Sequence, residues 1–437
     1  MGSQLVVCVD WRWDCRRVGC VFDRGRRGSM STSACHLSRF SPEFQLACVC
    51  CRVSPTDADQ AEIRRLLGLV DVPAFVDMVV RRHRVGSIAH AVLSRLPAQD
   101  LPPGLMEPLS EAARHNAVKA LQAKRTHIML ARWFAEAGID WLPFKGLTVA
   151  QRYYDDFAQR QVNDLDIWVP KSNLLQARAL LEAHGFRMSD AELHWDLAKR
   201  GPQHLDYLLR YYLEEKHYCR EFGALELHWQ VTANSAQFSI APQTLLDRAE
   251  TIELGGVPMR VMNDVDLLLY LCDHGGRHGW YRLKWLADLP RLLVDRKWDW
   301  QQVFARARQA GCMRALLLGL ALSEDLFGVV HPAEVTRELC GRWFLSLTRP
   351  LMRVKLQVHA ESFEASGHYP VAHRILDVIR GIALSQNLRA ALKHLWRYSL
   401  SPNDLKVVNL PDRWFEAYYA LRPVLFVARQ WRALVSK

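Results

Sequence analysis

The residues best placed to do chemistry lie in Asn163-Asp164-Leu165-Asp166-Ile167-Trp168-Val169. Side chains alternate along a strand. Asp164 and Asp166 therefore share one face, and Leu165, Ile167 and Val169 point into a core. Two carboxylates this close do not both stay ionised cheaply without a counter-charge. A divalent ion such as Mg²⁺ answers that need, because it takes a few carboxylate oxygens and keeps water or phosphate as its other ligands. A bare Asp-x-Asp is more often a solvated strand edge, so the neighbouring residues decide. Lys145-Gly146 stands at an expected strand-to-helix turn, where a glycine lets backbone approach a phosphate and the helix N-terminus favours an anion. Arg160, four residues before Asp164, is in reach of a triphosphate or of the aspartates themselves. The run Ala224 to Val231 also alternates, with Glu226 and His228 on one face and Leu225, Leu227, Trp229 and Val231 on the other. Glu226 then offers a third carboxylate from a neighbouring strand.

The tetrapeptide Glu-Leu-His-Trp occurs twice, at Glu192 to Trp195 and at Glu226 to Trp229. The first lies in a polar, helix-like context without strand alternation, so Glu226 is the favoured carboxylate. His274 and His278 have the i, i+4 spacing of a helical metal pair, but Gly275-Gly276 between them weakens a helix and no third ligand is near. Seven of the 11 cysteines fall in the first 51 residues. With an odd cysteine total and no signal sequence, Cys48, Cys50 and Cys51 read as the buried face of a short helix rather than a metal site.

These residues need elements to hold them. Helical periodicity covers the region from about residue 41, including Ile63, Leu66, Leu67 and Val70, and a long helix over 105–137 closes at Gly138. A buried strand is predicted at 139–144, a short helix at 147–154 and a second strand at 165–169, closed by Pro170. Ser172 is expected to cap a helix running to His184. A third strand follows at 224–231, then a hairpin at 251–262 turning on Gly255-Gly256, and helices from Asn263 onward. The fold class is thus α+β: a small mixed β-sheet core flanked by N-terminal and C-terminal helical regions. The expected division is an extension at 1–39, a helical region at 40–137, the core at 138–262 and a helical domain at 263–437. Residues 1–29 are Arg-rich and lack an apolar period, and Met30 reads as the true start.

The chain has 437 residues, 50% hydrophobic and 24% charged, which is a globular composition with room for sizeable cores. Apolar runs such as 315–323 fall short of the roughly 18 residues of a crossing helix, and no signal sequence is evident, so a cytoplasmic, non-membrane protein is expected. The formal charge is +11, yet residues 139–231 carry 11 basic and 14 acidic residues, while 371–437 carry 11 basic and 4 acidic. The excess sits at the C-terminal end. There Arg389, Lys393, Arg397, Arg413, Arg422, Arg429 and Arg432 interleave with Trp396, Tyr398, Trp414, Tyr418, Tyr419 and Trp431. That mixture suits RNA stacking, and it suits an ordinary amphipathic helical domain better.

Taken together, Phe144-Lys145-Gly146-Leu147, Tyr154, Arg160-x-x-x-Asp164-x-Asp166 and Glu226-Leu227-His228-Trp229 resemble the uncharacterised nucleotidyltransferases of the polymerase-β-like superfamily. Asn163 departs from the family's usual Gly or Ser, and Lys-Gly replaces the superfamily's more common Gly-Ser turn. The resemblance implies two-metal transfer of an NMP from an NTP such as ATP, with pyrophosphate leaving. Asp164 and Asp166 would hold two Mg²⁺ or Mn²⁺ ions, and Glu226 would complete one metal site and help deprotonate the acceptor. Lys145, Gly146 and Arg160 would serve the nucleotide. The family carries a segment like Asp273 to Asp288, which implies a wall beside the nucleotide with His278 and Lys284 as phosphate contacts; a core-packing helix junction is the competing reading. A peptide, protein or small molecule is the acceptor class implied. A toxin-like transferase acting on tRNA ends and a non-catalytic nucleotide-binding regulator remain as alternatives.

Overall fold

The computed structural model describes residues 37–188, 201–211, 214–232, 237–294, 296–357, 371–396, 404–408 and 410–435. Residues 1–29, the tetrapeptide Glu192 to Trp195, and the side chains of Trp396, Arg397, Tyr398, Arg429, Trp431 and Arg432 lie outside the described residues. The first helices are α1 (Pro42–Cys50), α2 (Asp57–Leu67), α3 (Val72–Asp77), α4 (Gly86–Leu93) and α5 (Met106–Glu136). The middle of the chain gives β1 (Leu142–Pro143), α6 (Leu147–Tyr153), β2 (Leu165–Trp168), α7 (Leu174–Ala183) and β3 (Arg187–Met188). It continues with α8 (Pro202–Tyr211), β4 (Glu214–Cys219), β5 (Gly223–His228), α9 (Pro242–Asp247), β6 (Glu250–Leu254) and β7 (Val257–Val261). Then come α10 (Asp264–His278), α11 (Leu283–Leu293), α12 (Trp300–Ala310), α13 (Met313–Phe327), α14 (Ala333–Leu339) and α15 (Trp343–Gln357). The last are α16 (Val371–Leu384), α17 (Leu388–Trp396), α18 (Asp404–Val407) and α19 (Ala417–Val435).

The architecture is α+β, as the sequence predicts. Five strands run in the order β1-β2-β5-β4-β3, and β6-β7 form a separate hairpin. The β2–β5 pair is parallel and the other pairs of the five-stranded sheet are antiparallel. Among the described residues no helix is long and apolar enough to cross a membrane.

Two apolar cores hold these elements. One joins Phe44, Ile63 and Phe75 of the first helices to Leu268, Leu286, Leu318 and Met352 of α10, α11, α13 and α15. The other packs Leu130 and Phe134 of α5 and Leu181 of α7 against Leu165, Ile167, Leu225 and Leu227 on one face of the sheet. Tyr418 and Leu425 of α19 return to this second core. Cys48, Cys50 and Cys51 are buried at the end of α1, as their spacing predicts.

Local chemistry moves three boundaries from their expected places. The strand at 139–144 shrinks to β1, because Ile139 donates to the Phe134 carbonyl at 2.8 Å and thereby closes α5, with Gly138 at φ +64. Ser172 does not cap α7. It sits in a tight turn after Pro170 and donates to Asn173 Oδ1 at 3.0 Å, and the helix begins one residue later than expected, with Asn173 at its N-cap. β5 stops at His228, short of the expected Val231.

The weak Gly275-Gly276 pair does not break α10, which runs on to His278. Trp280 folds back onto the helix, fully buried, and a Cβ at Gly275 would meet its ring at 2.2 Å. At Gly276 the nearest atom is Leu384 Cδ1 at 3.3 Å. Overpacking there costs about 1–3 kcal/mol, whereas Ala is favoured over Gly in a helix by about 1 kcal/mol. Gly275→Ala should therefore lower the chemical-denaturation midpoint and Gly276→Ala should leave it unchanged or raise it. Equal effects of the two would contradict this account of the helix.

Candidate active site

The second face of the sheet carries the polar residues. Register aligns Asp166 with Glu226 and Lys216 in one row, and Trp168 with His228 and Glu214 in the next. Asp164 precedes β2 on the same side, and Leu165, Ile167 and Val169 are buried on the other. This face floors a cleft of about 500 Å³ whose opposite wall is the end of α10 and the start of α11. Lys145, Gly146, Arg160, Asp164, Asp166, Glu226, His278 and Lys284 all border it, so every site residue expected from the sequence reaches one cavity.

Asp166 is 1% exposed and Lys145 Nζ lies 2.8 Å from its Oδ1. His228 Nε2 approaches the same oxygen at 3.2 Å and Glu226 Oε2 at 3.5 Å. The other Asp166 oxygen, Oδ2, is buried without a hydrogen-bond partner. Burial alone would raise the Asp166 pKa, but the Lys145 ammonium and the His228 hydrogen bond outweigh it and hold the carboxyl far below its usual range. Asp164 moves the other way: burial and the charges of Asp166 and Glu226 push it up. For His228, burial lowers the pKa, but hydrogen bonds to Asp166 and Glu226 together with the Glu214 charge lift it to about 9. His228 thus stands beside Lys145 as a second cation among the carboxylates.

Asp166, Glu226 and His228 each offer one ligand atom within 4.8 Å of the others. The structure therefore brings together two of the three expected carboxylates and adds His228, whose place on the Glu226 face was legible but whose part was not. Asp164 lines the same cleft outside that trio. The orphaned Asp166 oxygen and the neighbouring Glu226 carboxylate fit a hard divalent cation, and His228 joins them as a ligand only once it gives up its proton.

Arg160 is committed within the protein. Its guanidinium makes paired 2.8 Å bonds to both oxygens of Asp288 on α11 and a 3.0 Å bond to the Gly146 carbonyl. Tyr154 donates to the same Asp288 at 2.8 Å. Gly146 itself takes φ +70 at the head of α6, a conformation that favours glycine. The Tyr and Arg of the motif thus brace the Lys-Gly turn against α11.

The facing wall is aromatic and cationic. The rings of His274 and His278 lie 4.6 Å apart, and Trp285 stands 5.3 and 5.1 Å from them. Tyr281 meets Trp285 at 4.9 Å. Lys284 makes no ion pair with a described residue; burial, then the charge of Arg160, bring its pKa down to about 7, with Asp164 pulling the other way.

A family model described as an uncharacterised nucleotidyltransferase matches residues 70–328, more than half of the chain. The chain belongs to that family. The matched span runs from α3 to the end of α13, and so includes the sheet, the Asp288 brace and the aromatic wall. No curated protein matches the chain. Sequence reasoning passed over Glu214, which borders the cleft from β4 with its carboxylate 3.6 Å from His228 Nδ1. Its strand hid because its inward residues are Glu215, His217 and Cys219, two of them polar.

The Lys284 shift has a sign that can be measured in this nucleotidyltransferase. Between about 7 and the ordinary value of 10.5 the unfolded chain holds a proton that the folded chain has released. The contribution of Lys284 to stability therefore rises with pH across that window. Lys284→Met should raise the denaturation midpoint below pH 7, and the gain should vanish towards pH 10.5. A gain independent of pH would show that Lys284 is not strained.

Proposed function

We propose that this nucleotidyltransferase moves an NMP from an NTP to an acceptor hydroxyl in a divalent-metal-dependent reaction that releases pyrophosphate. The observation that carries the reading is the buried, half-unpartnered Asp166 carboxylate beside Glu226 and Asp164 in the cleft. Asp164, Asp166 and Glu226 would hold the metal, Mg²⁺ or Mn²⁺, which when bound supplies positive charge for the triphosphate and for the leaving pyrophosphate.

The chain's own groups do the rest. The Lys145-Gly146 turn and Lys284 receive the phosphates, and a polyanion there relieves the uncompensated charge of Lys284. Arg160 keeps the turn in place through the Gly146 carbonyl, as a positioning residue. The acceptor oxygen attacks the α-phosphorus in line; the new P–O bond forms as the bond to the β-phosphate oxygen breaks, and the hydroxyl proton passes to Glu226. Pyrophosphate departs with the bonding electron pair.

The acceptor is a peptide, a protein or a small molecule in this reading. The basic C-terminal region is less suited to RNA than its composition suggests, since Arg422 pairs with Asp404 at 2.9 Å and Tyr418 is fully buried.

Incubation with NTPs radiolabelled at the α-phosphate, Mg²⁺ and host extract tests the proposal. Label should enter a protein, peptide or small-molecule fraction with the wild type, fall to background with Asp166→Asn or Asp164→Ala, and be lost on chelation of the metal. Label entering RNA would move the acceptor to the tRNA-like alternative. Folded Asp166→Asn and Asp164→Ala variants with full transfer would overturn the proposal.

A further inference from the structure

In that reading the metal, the phosphates and the acceptor account for the carboxylate floor of the cleft and for Lys145 and Lys284, and leave the nucleotide's base without a contact. The aromatic wall has no part in that chemistry either. His274, His278, Tyr281 and Trp285 all border the same cavity as Asp164 and Lys284. A core-packing junction would bury these rings. Instead His278 is exposed, Tyr281 and Trp285 are half-buried, and His274 alone is closed in. Neither imidazole hydrogen-bonds to a described residue. Their ring nitrogens are thus available beside an aromatic surface whose rings meet tilted or edge-on.

We propose that His278, Tyr281 and Trp285, with His274 behind them, form the subsite that binds the nucleobase of the NTP, so that His278 serves the base and not, as the resemblance implies, the phosphates. The inference rests on the nucleotidyl-transfer reading above and adds to it the residues that set base affinity. Trp285 and Tyr281 offer ring faces for stacking, which every base accepts through its π-face. The two imidazoles offer hydrogen bonds to the base edge. Burial and the Lys145 charge hold His274 neutral, and a neutral imidazole presents one donor and one acceptor. Lys284 borders the same cavity as the rings, so phosphates at Lys284 and a base at the rings fall within one cleft.

Calorimetry on the full chain with Mg²⁺ separates the base from the phosphates. The probes are the α,β-methylene analogues of the four ribonucleoside triphosphates and inorganic tripolyphosphate. The wild type should bind at least one analogue more tightly than tripolyphosphate. Stacking one base is worth roughly five- to 150-fold in affinity. Trp285→Leu and His278→Ala should therefore each weaken the best analogue about tenfold or more and leave tripolyphosphate unchanged. His278 is exposed, so its variant tests the wall even where the Trp285 variant fails to fold. Equal wild-type affinity for tripolyphosphate and every analogue overturns the base subsite and leaves the transferase reading intact. Equal losses for both probes in the variants, or no loss for either, overturn it as well. A wild type that binds neither probe removes the transferase reading, and the subsite with it.

Discussion

Asp166 is a carboxylate that the fold buries in the second strand of its sheet, and the Lys145 ammonium is what keeps it ionised there. That pair is the constraint on which the site depends. Lys145 reaches Asp166 only because Gly146 turns the chain at positive φ, and the turn holds because Arg160 grips the Gly146 carbonyl. Arg160 in turn is fixed by Asp288, a fully buried carboxylate on α11 that also receives Tyr154. A buried charge left unpaired costs several kcal/mol, roughly 3–5 when one partner is removed. The turn, the sheet and α11 are therefore coupled through charge as well as through apolar packing.

The same coupling makes the cleft a place of unrelieved electrostatics. Four carboxylates, Asp164, Asp166, Glu214 and Glu226, crowd one sheet face against Lys145 and His228, Asp164 is pushed towards its neutral form, and Lys284 is held short of full ionisation. Such frustration is tolerable because two cores with many fully buried aliphatic side chains surround it. A metal triphosphate brings both signs of charge that the cleft lacks partners for: cation for the carboxylates, anion for Lys284. Perturbed groups gathered in one cleft are what a reaction site needs.

Much of this was legible in the sequence. Strand alternation around Asp164, Asp166 and Glu226 gave the shared face, and the Lys-Gly turn announced itself by residue type. What the sequence hid were partners. Arg160 was within reach of a triphosphate by spacing, but its partner Asp288 lies 128 residues away and no local pattern links them. β4 escaped because Glu215 and His217 fill inward positions where apolar residues are expected, with Arg178 on α7 pairing with Glu215. The two glycines of α10 looked like a defect, and only the fold-back of Trp280 shows why a side chain is excluded at the first.

The central claim is that Asp166, through its unpartnered oxygen, anchors a divalent cation beside Glu226. Electron paramagnetic resonance of free Mn²⁺ titrated with the protein tests it directly, because bound ion leaves the aqueous signal. The account predicts Mn²⁺ binding by the wild type and a loss of about tenfold or more in affinity for Asp166→Asn, which keeps the shape of the side chain and removes its charge. Equal Mn²⁺ affinity in the wild type and a folded Asp166→Asn variant would contradict it.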